Sequence, residues 1–184
     1  EQMPDTQTKP VLVTNSVLAA AAGTSHTLFV RTDGTLWAIG SNGNGQLGDG
    51  TTTQRTKPIY VTNNVVAAAA GADHTLFLRT DGTLWGIGSN AYGQLGLGSS
   101  VGSVRTPTLV TNGVAYVFAY YYHCHFVRTD GTLWVMGYNG AGQLGDGTTA
   151  HIYTPTYITN NVVSTGAGYC KSFYLQRGGV LLAT

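Results

Sequence analysis

Charge is scarce in this chain. Lys, Arg, Asp and Glu together make up 9% of its 184 residues, against about 25% in ordinary soluble domains. Nine basic residues stand against eight acidic ones, a net +1, which leaves no electrostatic footprint for gripping a phosphate backbone. Nucleic acid is therefore not expected as a partner. Cysteine is rarer still: Cys124 and Cys170 do not amount to a disulfide framework, and neither stands in a CxxC pair. Long apolar runs are missing too. Val17 to Ala22, the longest small apolar run, falls far short of the roughly 20 residues of a spanning helix, so no membrane association is expected. No basic segment followed by an apolar stretch opens the chain, and any export signal is expected to have been removed or to lie outside it. A helical period of 3.6 is nowhere found, which leaves strands as the regular element.

What the chain has in abundance is glycine, 26 residues, and internal repetition. Trp37, Trp85 and Trp134 are 48 and 49 residues apart, and Pro10, Pro58, Pro107 and Pro155 follow at 48, 49 and 48. Two independent markers share one register, the signature of a repeat architecture. The phrase His26-Thr-Leu-Phe-Val-Arg31-Thr-Asp33-Gly34-Thr-Leu-Trp37 returns at His74 to Trp85 and at His123 to Trp134. A fourth copy is degraded: Lys171 replaces the His, Gln176 the Arg, Gly178 the Asp and Leu182 the Trp.

Within a copy, Asp33-Gly34 separates two β-rich runs, Leu28 to Val30 and Leu36 to Ile39, and is expected to supply the positive φ angles of a hairpin. Val17 to Ala22 precedes them as a narrow inner strand. Ile59 to Thr62 follows beside Pro58, which lacks the N–H of a central strand and so marks an outer edge. Four short strands per unit predict an all-β fold, a β-propeller of four-stranded blades.

The phrase Gly-x-x-His-Thr-Leu-Phe-x-Arg-Thr-Asp-Gly-Thr-Leu-Trp, followed by Gly-Gln-Leu-Gly at 45–48, 93–96 and 142–145, resembles the regulator of chromosome condensation repeat family over nearly the whole chain. Ile39, Ile87 and Met136 stand where many members carry an aromatic residue, a change of packing more than of topology. Members of the family serve as nucleotide-exchange factors, chromatin readers and, in bacteria, as an inhibitor of β-lactamase. The near-neutral charge argues against the chromatin role. Repeats phrased this way resemble those of bacterial exported or surface proteins, which implies a secreted or cell-surface setting.

The family closes its ring with a split blade. Here the expectation is one repeat domain over 1–184, with blades at approximately 15–62, 63–111 and 112–159, and a split blade in which residues 9 to 14 of segment 1–14 add the outer strand to 160–184. Three whole blades and one split blade make four, whereas the family usually forms seven. A four-blade monomer, a homodimer closing a larger ring by pairing terminal strands, and a fragment of a longer chain all remain open.

Several motifs have simpler structural explanations. Gly43-x-Gly45-x-x-Gly48 and Gly140-x-Gly142-x-x-Gly145 fit the dinucleotide pattern but lack its βαβ unit, so they are read as inter-strand loops and no cofactor is expected. His26, His74 and His123 recur one per blade, too far apart for a metal site, and are expected to bond backbone groups near the inner turn. Arg31, Arg79 and Arg128 are expected to bridge neighbouring blades, and Trp37, Trp85 and Trp134 to fill the core between them. His123-Cys124-His125, with Cys170, is the only metal-like cluster, and buried packing of these residues is preferred.

The informative departure is in the third copy, where Ala19 to Ser25 becomes Tyr116-Val-Phe-Ala-Tyr120-Tyr121-Tyr122. Small residues give way to aromatics at the turn leaving the innermost strand. Tyrosines are enriched on recognition surfaces, so Tyr120, Tyr121 and Tyr122, with Asp73, His125 and Tyr169, form the candidate binding set. No catalytic set appears. The expected function is a non-catalytic binding module for a protein or surface polymer. A propeller enzyme of lyase or hydrolase type and an architectural segment of a larger surface protein are the alternatives.

Overall fold

The computed structural model describes residues 12–98 and 102–184. Every regular element in it is a strand, and the strands form four consecutive antiparallel meanders. The first sheet holds β1 (Val17–Ala22), β2 (His26–Arg31), β3 (Leu36–Gly40) and β4 (Arg55–Thr62). The second holds β5 (Val65–Ala70), β6 (His74–Arg79), β7 (Leu84–Ser89) and β8 (Ser103–Thr111). The third holds β9 (Val114–Tyr120), β10 (His123–Arg128), β11 (Leu133–Gly137) and β12 (Ile152–Thr159). The last holds β13 (Val162–Gly168), β14 (Lys171–Gln176) and β15 (Leu181–Ala183).

The Asp-Gly hairpins differ in detail from the expected turn. Only Gly34 takes a positive φ, +78°, while Asp33 does not. Gly34 N donates to Arg31 O and Arg31 N to Thr35 O, both at 2.9 Å, so the loop has three residues and ends in a glycine bulge. Asp33 instead accepts from Thr35 N at 3.0 Å and Thr35 Oγ1 at 2.6 Å. Its role is that of an Asx turn. The outer strand also starts earlier than expected, at Arg55, because a register shift between Ala38 and Gly40 lets pairing continue past Pro58. As β4 pairs only with β3, Pro58 does sit on an edge strand.

The core lies between the sheets. Leu28, Val30, Leu36 and Leu47 of the first copy pack with Val65, Phe77 and Ile87 of the second. Leu76, Leu84 and Leu95 pack with Phe126 and Met136, and Val127, Leu133 and Leu144 with Val162 and Tyr174. The tryptophans are half-buried rather than enclosed. Trp85 stacks on Phe77 with centroids 6.4 Å apart and is covered by Arg79, whose Cζ lies 4.2 Å from the ring. Arg128 covers Trp134 in the same way, at 4.3 Å. These arginines also reach the preceding sheet: Arg79 Nη2 donates to Thr62 Oγ1 at 3.1 Å and Arg128 Nη2 to Thr111 Oγ1 at 3.4 Å. In the degraded copy Gln176 Nε2 makes the equivalent bond to Thr159 Oγ1, at 3.1 Å.

The expected N-terminal strand at 9 to 14 lies largely outside the described residues, and residues 12–14 are not in a strand. Among the described residues the last sheet has three strands, and no hydrogen-bonded pairing joins it to the first.

Candidate recognition site

Four turns leave the inner strands and lie side by side. Thr24 Oγ1 donates to Ala72 O at 2.8 Å, Ala72 N donates to Tyr121 O at 2.7 Å, and the Tyr121 and Tyr169 rings meet at 4.7 Å. Thr24, Ala72, Tyr121 and Tyr169 are equivalent positions of the four copies, so the turns form one continuous rim.

Below this rim a bond network crosses each seam. His26 Nε2 lies 3.1 Å from Thr75 Oγ1, and that hydroxyl donates to Gln46 O at 2.8 Å. With the hydroxyl hydrogen committed to the carbonyl, His26 must donate through Nε2. His74 repeats the bond with Cys124 Sγ at 2.9 Å, and Cys124 donates to Gln94 O at 3.3 Å. The histidines thus meet side chains of the next sheet rather than the backbone groups expected from sequence. Burial lowers His26 to about 4 and His74 to about 3, and keeps the Cys124 thiol well above its ordinary value.

At the third seam the donor changes. His125, not His123, reaches Ser172 Oγ at 3.0 Å, and Ser172 donates to Gln143 O at 2.7 Å. The cause is Tyr120. Gly23 and Gly71 hold the matching place in the first two copies, where any Cβ would collide with the His26 or His74 ring. Tyr120 has that Cβ, so His123 cannot lie as its counterparts do, and its Nε2 is buried without a partner. His125, which replaces Leu28 and Leu76, takes over the bond.

His125 is therefore fully buried and outside the binding surface where sequence reasoning placed it. It stands 5.3 Å from His123 between ring centroids. Its Nε2 is taken by Ser172, and among the described residues no group of three metal-ligating side chains could hold an ion. Cys170 is exposed rather than buried.

Tyr121, Tyr122 and Tyr169 do come together, and two further tyrosines join them. Tyr92 lies 5.1 Å from Tyr122 and 5.2 Å from Tyr138 between ring centroids, with His151 beside both. These five tyrosines, with His123, Gln143 and Cys170, line a cleft of about 190 Å³. Tyr120 lies apart from it, against the first two inner turns with Gly23 and Gly71. Asp73 holds in the second copy the position that Tyr122 holds in the third. Tyr92 and Tyr138 were missed in the sequence, although the repeats point to them: Tyr138 replaces Ser41 and Ser89, and Tyr92 replaces Asn44 and Ala141. Gly140 makes room for this arrangement, because the Tyr138 phenol occupies the space a Cβ there would need.

The cleft is uncharged. Burial holds His123 near 4, so it is neutral at pH 7. Burial, followed by a hydrogen bond to Tyr121, raises Tyr122 above the ordinary phenol range, and a bond to Tyr121 raises Tyr169. At the base, Gln143 Oε1 accepts from Ala141 N at 3.0 Å. The amide nitrogens of Gln46 and Gln94 bond Asp73 and Ser89, but Cys170 and Tyr138 hold those two places around Gln143.

The regulator of chromosome condensation (RCC1) repeat model matches residues 33–78, 81–127 and 130–173. The chain belongs to the RCC1 repeat family. A second RCC1 repeat model matches residues 17–46 and 65–94. Among solved structures, Prp20p from Saccharomyces cerevisiae is similar with a TM-score of 0.81 and 20% identity, over 95% of this chain and 46% of that one. Human WBSCR16 is similar with a TM-score of 0.79 and 22% identity, over 91% and 47%. Yeast RCC1 (Prp20) bound to Kap60 is similar with a TM-score of 0.75 and 26% identity, over 83% and 40%. No curated protein matches in sequence. The chain spans less than half the length of these RCC1-type structures, and the likeness establishes a β-propeller fold.

Proposed function

We propose that this RCC1-repeat propeller segment is a non-catalytic module that binds a protein partner with the rim of inner turns, centred on Tyr121, Tyr122 and Tyr169. One observation carries this reading. The tyrosines of the cleft stand where the first two sheets carry Ser, Thr, Asn, Ala or Asp at most of the same places, and those sheets form the same meander. The fold does not require the rings, so their gathering on one rim calls for another cause, and a tyrosine cluster is the composition of a recognition surface. Yeast Prp20p is described with its binding to Gsp1p and histones, and in complex with Kap60, which supports a protein as the kind of partner. Secretion or display at a bacterial cell surface belongs to the same proposal and rests on the phrasing of the repeats.

The test compares the wild-type chain with a Tyr121→Thr, Tyr122→Ser variant, which restores the first sheet's Thr24 and Ser25. A purified partner is expected to bind the variant at least tenfold more weakly while thermal melting shows the fold retained. Partners bound equally well by both would overturn the reading.

A further inference from the structure

We propose that the tyrosine cleft takes an arginine side chain from an extended segment of the partner protein, its guanidinium lying on Tyr122 and paired with the carboxylate of Asp73. This rests on the recognition reading above and names the chemistry of its ligand.

Asp73 differs from every other aspartate among the described residues. Asp33, Asp49, Asp81, Asp130 and Asp146 each accept from the Thr two places on, and so hold their own turns. Asp49 has a cation as well, Arg55. Asp73 is half-buried, and its carboxylate accepts, among the described residues, only from Gln46 Nε2, at a long 3.3 Å. A carboxylate withdrawn from water with one weak neutral donor favours a cation. No Lys or Arg lines the cleft beside it, and His123 is neutral there.

The position suits that cation. The Ala72 N to Tyr121 O bond of 2.7 Å ties the turn bearing Asp73 to the turn bearing Tyr122, one residue away on each side. Tyr122 lines the cleft. A guanidinium on its ring would therefore have a carboxylate at one side and the cleft at the other. The chain already uses this contact twice, Arg79 on Trp85 and Arg128 on Trp134. Arginine is favoured over lysine because its planar group stacks on a ring while its edge donates to a carboxylate. A trimethylated ammonium is disfavoured because it has no N–H to donate to the Asp73 carboxylate.

The base of the cleft points to the rest of the ligand. His123 Nε2 is buried, has no partner and belongs to a residue lining the cleft. Beside it the Gln143 amide lacks the Asp or Ser that its counterparts bond. A peptide backbone, with one acceptor and one donor per residue, answers both. A neutral sugar would satisfy the rings and the amide but leave Asp73 without a counter-charge.

The experiment pans a random-peptide display library on the full chain and counter-selects on the Tyr122→Ser and Tyr169→Thr variants. Peptides that need the cleft are expected to share an arginine. Replacing that arginine by citrulline, which keeps the shape and loses the charge, is expected to weaken binding at least tenfold, as is Asp73→Asn in the chain. Cleft-dependent peptides that lack arginine, or that tolerate citrulline, would overturn the arginine assignment and leave protein recognition standing. No cleft-dependent peptide at all, or binding of a neutral oligosaccharide lost in the same variants, would overturn both.

Discussion

His125 Nε2 lies 3.0 Å from Ser172 Oγ, across the seam between the third and fourth sheets. At the two earlier seams the same bond starts from His26 and His74, each three residues after an inner-turn glycine, Gly23 or Gly71. Two substitutions, Gly to Tyr at 120 and Leu to His at 125, therefore act as one: the first displaces the usual donor and the second replaces it.

This coupling is measurable by a double-mutant cycle in urea. His125→Leu alone is expected to cost about 1–3 kcal/mol, because Ser172 loses its donor. Tyr120→Gly together with His125→Leu restores the arrangement of the first two copies and should recover about 1 kcal/mol or more of that loss. Additive effects of the two changes would show that Tyr120 does not govern His123.

Stability should fall in mild acid. Burial lowers His26 and His123 to about 4 and His74 and His125 to about 3, from an ordinary 6.5. Below 6.5 the unfolded chain takes up protons that the folded chain refuses, so stability is complete above 6.5 and is lost as pH falls toward 4. By pH 5 the loss should be roughly 2 kcal/mol for each histidine. Thermal melts at pH 7.5 and pH 5 test this, and equal midpoints would contradict it.

Trp85→Ala is expected to cost about 3 kcal/mol, the low end for a large aromatic residue, because the ring is half-buried yet packs on both Phe77 and Arg79. Urea titration reads the value. A cost under about 0.5 kcal/mol, the size of a surface change, would show that the ring contributes little to the seam.

Association of two chains is also expected. Val17 is exposed on the first sheet, and Phe173, Leu175 and Leu181 on the last, whereas the equivalent Val65, Leu76, Leu78 and Leu84 are buried in seams between sheets. Light scattering of the 19.3 kDa chain should report about twice that mass at micromolar concentration, and a monomer persisting at high concentration would refute pairing of the two end faces.

The fold was legible because period, turn residues and edge proline agree on one meander. Trp37, Trp85 and Trp134 set the register, and Val17–Ala22 is a strand exactly as the small-residue run suggests. The candidate site was legible only in part. Tyr121, Tyr122 and Tyr169 sit near one another on adjoining turns, but Tyr92 and Tyr138 reach the same cleft from loops and strand ends 16 or more residues away in sequence, a proximity set by how sheets stack. His125 was misplaced because a polar residue replacing Leu reads as surface, whereas here it fills a vacant donor position in the core.

The seam network also has a direction. At each of the three seams an imidazole donor of one sheet meets a hydroxyl or thiol of the next, as a hook meets an eye. Copies built this way join head to tail and in one order only, without needing to recognise which copy comes next. A chain duplicated or shortened by one whole repeat would still mate correctly at the new junction, so the number of blades is free to vary while the joint between them is not.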